Sequence, residues 1–377
     1  MHDYLTAEVS ASAVAHNLGL LRGLLGPRTK LCAAVKADCY GHGLALLLPT
    51  LARLADWLAV AAPVEAVRLR ELGYAGPLLA FFSPCAYAGD ERREALEELI
   101  RRRVTLTVVS AEEIGAIAQA ARAAGAEAQI HIKVDSGMGR SGASPRGVAE
   151  LAAAIRAAAG LKLAGMYTHF ATADEPDGAY LREQLSRFRE AAEALPGREG
   201  LLLHAANSAA TIASPDSHLD MVRPGLAVYG YQPAERPARP LALRPALRVW
   251  GRLMLTKRLP AGAGVGYGLT CTLRRDSVVG LVPIGYADGY FRCLSNRATM
   301  RVHGRDVAVL GRVSMDQVAV DLTDVPQARA GDVVEAISSD PAAPHSVENL
   351  ARLAETIPYE ITCRLGPRAR RVLDQDR

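Results

Sequence analysis

The stretch Leu31-Cys32-Ala33-Ala34-Val35-Lys36 is an apolar run closed by a lysine, and it reads as a short buried β-strand with Lys36 at its C-terminal end. The next residues, Ala37-Asp38-Cys39-Tyr40-Gly41-His42-Gly43, turn through two glycines into a helix. The same alternation of short apolar runs with longer helical patterns continues to about Gly230, which is the signature of βα units around a parallel sheet. Strands are predicted at Leu31–Lys36, Trp57–Ala61, Leu78–Phe82, Val104–Val109, Ala128–Val134, Leu161–Thr168, Leu201–His204 and Met221–Val222. Pro63 opens a helix over Pro63–Leu72 that Gly73 stops, and Ser110 with Glu113 suggests a capping box ahead of Ala111–Ala124. Eight such units predict an α/β fold, a TIM-type (β/α)8 barrel over residues 1–240, with reactive residues at the C-terminal ends of its strands.

Beyond the proline-rich stretch Tyr231–Pro245 the pattern changes. The runs Leu247–Leu259, Ser277–Tyr286, Thr299–Val309 and Val313–Leu322 follow one another without long helices, so residues 241–377 are expected to form a mainly β C-terminal domain. One helix, Val347–Glu355, interrupts it behind a capping Ser346. A chain of 377 residues is too long for one ordinary core, and a barrel plus a smaller unit fits that length.

Composition removes several function classes. Half the residues are hydrophobic and 22% are charged, the balance of a globular protein. No apolar run approaches the ~20 residues of a membrane span, and the start of the chain shows no signal peptide, so a cytoplasmic location is expected. The formal charge of +4 is spread along the chain, which gives no footprint for nucleic acid. The densest basic cluster, Arg368, Arg370 and Arg371, reads as a solvated tail. Cys32, Cys39, Cys85, Cys271, Cys293 and Cys363 form no CxxC pair; they read as free thiols, and no metal is expected. Only five lysines stand against thirty-nine arginines, so a lysine kept at a strand end points to amine chemistry that a guanidinium cannot perform.

A strand-end lysine is by itself most often a snorkelling side chain, but an amine in a partly desolvated pocket can also condense with an aldehyde cofactor and then carry a proton. The surrounding motif decides between them. Val35-Lys36-Ala37-Asp38-Cys39-Tyr40-Gly41-His42-Gly43 resembles the cofactor-lysine motif of the alanine racemase family, fold-type III enzymes that use pyridoxal 5'-phosphate (PLP). Further similar segments follow in order: Lys133 to Arg140, Tyr167 to Asp174, His204 to Ser208, Val222 to Gly225, Gly266 to Gly268, Pro283 to Gly289, Gly311 to Gln317 and Ile357 to Glu360.

The resemblance implies roles residue by residue. Lys36 holds PLP and is one of two catalytic bases; Tyr267 is the other, on the opposite face of the substrate. Two bases suit racemisation, since one would have to change sides of a planar carbanion. An ordinary tyrosine, with a pKa near ~10, needs positive neighbours to act as a base, and His169 and Arg223 are the candidates. Arg223 is implied as the partner of the pyridine nitrogen, a permanent donor that makes a weaker electron sink than a carboxylate would. Ser208, the amides of Gly225 and Leu226, and the hydroxyls of Tyr40 and Tyr359 are implied at the phosphate. Ser208 reads equally as a helix cap. Arg140 is implied to receive the substrate carboxylate, supported by a carbamylated Lys133, with the Met315 amide, next to Asp316, as a further contact.

Cys39, Ser136 and Ser314 replace the alanine, threonine and cysteine common in that family, small-for-small changes that bear on rate and substrate range. Arg292, Arg312, Asp174 and Ile357 resemble the lining of a narrow access corridor. The expected activity is interconversion of L- and D-alanine for peptidoglycan, by a homodimer in which Tyr267 meets Lys36 of the other subunit. A racemase of broader range, or one for serine, is the alternative with the same bases. Decarboxylases of this fold type place an acidic partner at the pyridine nitrogen, against which Arg223 speaks, and a PLP carrier protein would consist of the barrel alone.

Overall fold

A computed structural model describes residues 4–83, 87–234 and 240–374. The chain divides into two compact units. One comprises Ala15–Cys39 and Leu48–Leu243; the other takes Arg244 onward together with Tyr40–Leu47 and the N-terminal segment through Val14.

In the first unit, eight parallel strands close into a barrel in chain order. With the N-terminal strand Leu5–Val9 as β1, they are β2 (Lys30–Ala34), β3 (Trp57–Val60), β4 (Leu78–Ala80), β5 (Thr105–Val108), β6 (Ala128–Lys133), β7 (Leu161–Tyr167), β8 (Leu202–His204) and β9 (Met221–Val222). Closure is made by Lys30 opposite Met221 and Leu31 opposite Val222. The strands read as continuous apolar runs because both faces are buried: Leu58, Leu79, Leu106, Ile130 and Ile132 are fully buried. Each such side chain contributes roughly 1.5–3 kcal/mol of transfer free energy.

The helices follow local chemistry. Pro63 starts Pro63–Glu71, and the Glu65 carboxylate accepts from the amides of Ala61 and Ala62, both at 2.9 Å. The expected capping box at Ser110 does not form. Residues Ala111–Glu113 make a 3-10 turn before the helix Ile114–Ala124, and the Glu113 carboxylate instead accepts from Ser83 Oγ at 2.7 Å.

The second unit is built on a nine-stranded sheet. Its strands are β1, β10 (Leu247–Arg252), β11 (Leu255–Leu259), β14 (Ser277–Val282), β15 (Thr299–Val302), β16 (Arg305–Leu310), β17 (Val318–Asp321), β18 (Val333–Ile337) and β19 (Arg370–Leu373); β12 (Gly264–Val265) and β13 (Cys271–Thr272) pair separately. β1 lies between antiparallel β10 and parallel β19. The helix Val347–Leu353 is capped by Ser346, whose Oγ accepts from the Asn349 amide.

The C-terminal arginines are not a solvated tail. Arg370 and Arg371 lie in β19, and the Arg371 guanidinium donates to the carbonyls of Gly41, Leu365, Gly366 and Ala369. Arg368 grips buried Asp288 through two nitrogens, at 2.7 and 3.0 Å, and Asp316 at 2.6 Å. These arginines pair with carbonyls and carboxylates of the same unit. Cys85 and part of the proline-rich stretch lie outside the described residues.

Candidate active site

Strand β2 ends at Ala34, so Lys36 stands two residues beyond the strand rather than closing it. It enters a turn of unusual hand. Ala37, Asp38, Cys39 and Tyr40 all have positive φ, between 50° and 56°. Left-handed backbone costs about 1–2 kcal/mol per L-residue, so fixed contacts must hold the turn. Glu65 Oε1 accepts from the Ala37 amide at 2.6 Å, and the Cys39 amide donates to the Val35 carbonyl at 3.0 Å. Tyr229 donates to the Ala34 carbonyl at 3.0 Å and bonds the buried Cys39 thiol, which burial keeps protonated by raising its pKa. Cys39 thus has a polar partner that an alanine would lack.

Lys133 ends β6, His169 follows β7, and Arg223 follows β9, so the barrel brings these residues to one end, as the fold class demands. His169 feels the positive charges of Arg223, Arg140, Lys36 and Lys133, four cations in one region. Burial first, and those charges next, push its pKa down to about 3. His169 is therefore neutral near pH 7 and supplies no positive charge for a tyrosine base, contrary to the expectation from sequence. The Lys133 amine is also held below its ordinary value, by burial, then by Arg140 and Arg223, with Asp135 opposing.

Arg223 is buried, and among the described residues no carboxylate pairs with it. One nitrogen meets His204 Nδ1 at 2.8 Å and the other donates to the carbonyls of Thr168 and Ala205, at 2.7 and 3.0 Å. Its guanidinium lies over the Tyr167 ring, which stacks on His204. A guanidinium only donates, so His204 Nδ1 accepts, and Nε2–H must donate to His131 Nδ1 at 2.9 Å. His131 then carries its proton on Nε2, a buried atom without a partner among the described residues. Burial lowers the pKa of both imidazoles, and it lowers Arg223 to about 10, which leaves the guanidinium charged.

Ser208 is not the helix cap. Asn207 caps Ser208–Ala213 through its side-chain oxygen, while Ser208 Oγ accepts from the amides of Gly225 and Ala227, at 2.9 and 3.3 Å. The Gly225 amide is thus engaged by Ser208, and Leu226 begins the 3-10 turn that follows. The barrel unit fits an anionic cofactor with an acceptor nitrogen: it offers an amine, a cluster of cations, a hydroxyl and a permanently protonated donor.

The second unit holds the other expected residues. Tyr40 and Tyr359 face each other with ring centroids 5.8 Å apart. Tyr267 sits in the turn Tyr267–Leu269 and is 70% exposed; a Cβ on Gly268 would touch the Arg312 guanidinium at 3.4 Å, so a cation neighbours this turn. Met315, 53% exposed, is fixed by its carbonyl, which accepts from the Ala287 amide, and by the ion pair of Asp316 with Arg368. Sequence reasoning assigned no role to His131, His204, Glu65 or Asp135. The first two are visible only once β6 and β8 lie side by side of β7, whereas Asp135, set before Ser136-Gly137, carried a local turn signal.

A (β/α)8 barrel that gathers an amine and several cations at the C-terminal end of its strands has the architecture of an enzyme for a small anionic substrate. Residues 9–233 match the alanine racemase N-terminal domain and residues 246–373 the alanine racemase C-terminal domain. The chain is 38% identical over 370 residues to an alanine racemase of Desulfovibrio desulfuricans, covering 97% of each. It is 39% identical over 381 residues to one of Desulforamulus reducens, covering 99% of each. The crystal structure of alanine racemase from D-cycloserine-producing Streptomyces lavendulae superposes with a TM-score of 0.92 at 36% identity, over 100% of this chain and 98% of that one. The chain belongs to the alanine racemase family.

Proposed function

We propose that this protein interconverts L- and D-alanine with PLP held by Lys36, as a homodimer whose active site is completed by the partner subunit. When bound, PLP supplies the electron sink that makes the α-proton of an amino acid removable. The observation that carries the reading is the cation cluster of Lys36, Lys133, Arg140 and Arg223 around neutral His169. Such a cluster attracts a phosphate and a carboxylate.

Within this reading, Arg223 would hold the cofactor's ring nitrogen as a donor that cannot give up its proton. Ser208, Gly225, Leu226, Tyr40 and Tyr359 hold the phosphate, and Arg140 and the Met315 amide receive the substrate carboxylate. Lys36 Nζ takes or returns the proton on one face and the Tyr267 hydroxyl on the other. The exposure of Tyr267 and Met315 in the single chain supports a second subunit covering them. The setting in this reading is cytoplasmic, and the product would serve peptidoglycan synthesis.

The test measures visible absorption of the bound cofactor and turnover on a panel of L- and D-amino acids that includes serine. Lys36→Ala is expected to lose both signals. Tyr267→Phe is expected to keep the absorption and lose turnover in both directions by roughly 10²- to 10⁴-fold. Unchanged turnover in Tyr267→Phe would remove it as a base, and faster turnover of serine would move the substrate assignment.

A further inference from the structure

The loop between Lys133 and Ala143 is organised by one side chain. Asp135 Oδ1 accepts from the amides of Gly137, Met138 and Gly139, at 3.0, 2.8 and 3.0 Å, and Oδ2 accepts from the Arg140 amide at 3.1 Å. The loop carbonyls are held from the helix Ala179–Glu193: Tyr180 donates to Gly137 at 2.7 Å and Arg187 to Ser136 at 3.3 Å. Its ends are tied together, since the Asp135 amide donates to Ala143 and the Ala143 amide to Lys133. Gly142, with φ of 141°, permits that closure; a Cβ there would lie 2.4 Å from the Asp135 nitrogen.

Asp135 is thus a carboxylate within electrostatic reach of Lys133 that forms no ion pair among the described residues. Burial opposes its charge, yet the four amides outweigh burial and hold its pKa below the usual carboxylate value. Toward Lys133 the carboxylate acts only through space, raising its pKa against the neighbouring cations without an ion pair.

We propose that Asp135 is a positioning residue for substrate recognition: it folds the loop that presents Arg140, and by engaging both oxygens with backbone amides it leaves the Arg140 guanidinium for the substrate carboxylate. This rests on the reading that Arg140 receives that carboxylate. The asymmetry of the contacts gives a selective probe. An asparagine can keep the three bonds at Oδ1, but it puts an NH2 group against the Arg140 amide, so Asp135→Asn releases that residue specifically.

The test compares wild type, Asp135→Asn and Tyr180→Phe in three measurements. These are cofactor content, the dissociation constant of propionate read from the visible absorption of the loaded enzyme, and KM and kcat for both alanine enantiomers. Asp135→Asn is expected to keep its cofactor while the propionate constant and both KM values rise together, on the order of tenfold, with a smaller change in kcat. Trypsin cleavage after Arg140 in the loaded enzyme should also accelerate. Tyr180→Phe loosens the same loop from the helix side and is expected to move the same quantities less, so it carries the test if Asp135→Asn does not fold. A folded Asp135→Asn with unchanged propionate affinity and KM overturns the proposal. So does a Tyr180→Phe without effect when Asp135→Asn cannot be obtained. If wild type itself neither binds PLP nor racemises alanine, the functional reading fails instead.

Discussion

Arg223 keeps its proton in surroundings where imidazoles lose theirs. His131 and His169 are each moved from 6.5 to about 3, and His204 falls well below 6.5, with burial the largest cause and Arg223 the next. In the unfolded chain these rings bind protons once the pH drops below about 6.5; in the folded chain His131 and His169 resist down to about 3, and His204 is lowered well below 6.5. The unfolded state therefore holds more protons across that window, so stability is highest above it and declines as the pH falls. Melting temperature is expected to drop as buffers are taken from about pH 7 toward pH 4, and His131→Asn should flatten part of that slope. An identical slope in the variant would contradict a buried, neutral His131. Lys133 follows the same logic. A depressed amine pKa raises the neutral fraction, whose nitrogen can bond the carbon of CO2 and release a proton to solvent. A carbamate signal in 13C NMR after exposure to labelled bicarbonate, absent from Lys133→Gln, is expected; a wild-type spectrum without that signal would refute it.

The turn from Ala37 to Tyr40 is the element on which the placement of Lys36 depends. It passes into Gly41, where φ is 83° and a Cβ would lie 2.0 Å from the Thr362 carbonyl oxygen. Gly41→Ala must therefore move backbone, and it is expected to lower the melting temperature by several degrees and to reduce cofactor content. Full stability and full occupancy would show that the turn relaxes freely. Sequence reading did not reveal its hand, because Ala37-Asp38-Cys39 carries no residue that prefers positive φ as glycine does; the contacts from Glu65 and Tyr229 arrive from distant segments. The barrel strands, by contrast, were legible to within two residues at each end, since burial on both faces leaves an unbroken apolar signal. β1, β18 and β19 were missed. β19 carries Arg370 and Arg371, and its pairing with β1 joins the two ends of the described chain, which no local pattern encodes. Of the candidate site, the residue types were readable from their motifs, but the charge states of His169 and Lys133 were not. Those depend on which cations the closed barrel brings near.

For the molecule as a whole, we propose that the chemistry draws on two copies of the chain. The barrel unit contains the amine and the cation cluster, and the second unit contains Tyr267, Met315 and Tyr359. In a two-fold dimer with shared sites, each site draws Lys36 from one subunit and Tyr267 from the other. Mixed dimers of Lys36→Ala and Tyr267→Phe chains, co-expressed with two different tags and isolated through both, would then hold one site with both mutations and one with neither. Their alanine racemisation is expected to be about half that of wild type, although each parent homodimer is inactive. Mixed dimers as inactive as their parents would contradict the sharing of Lys36 and Tyr267 across subunits.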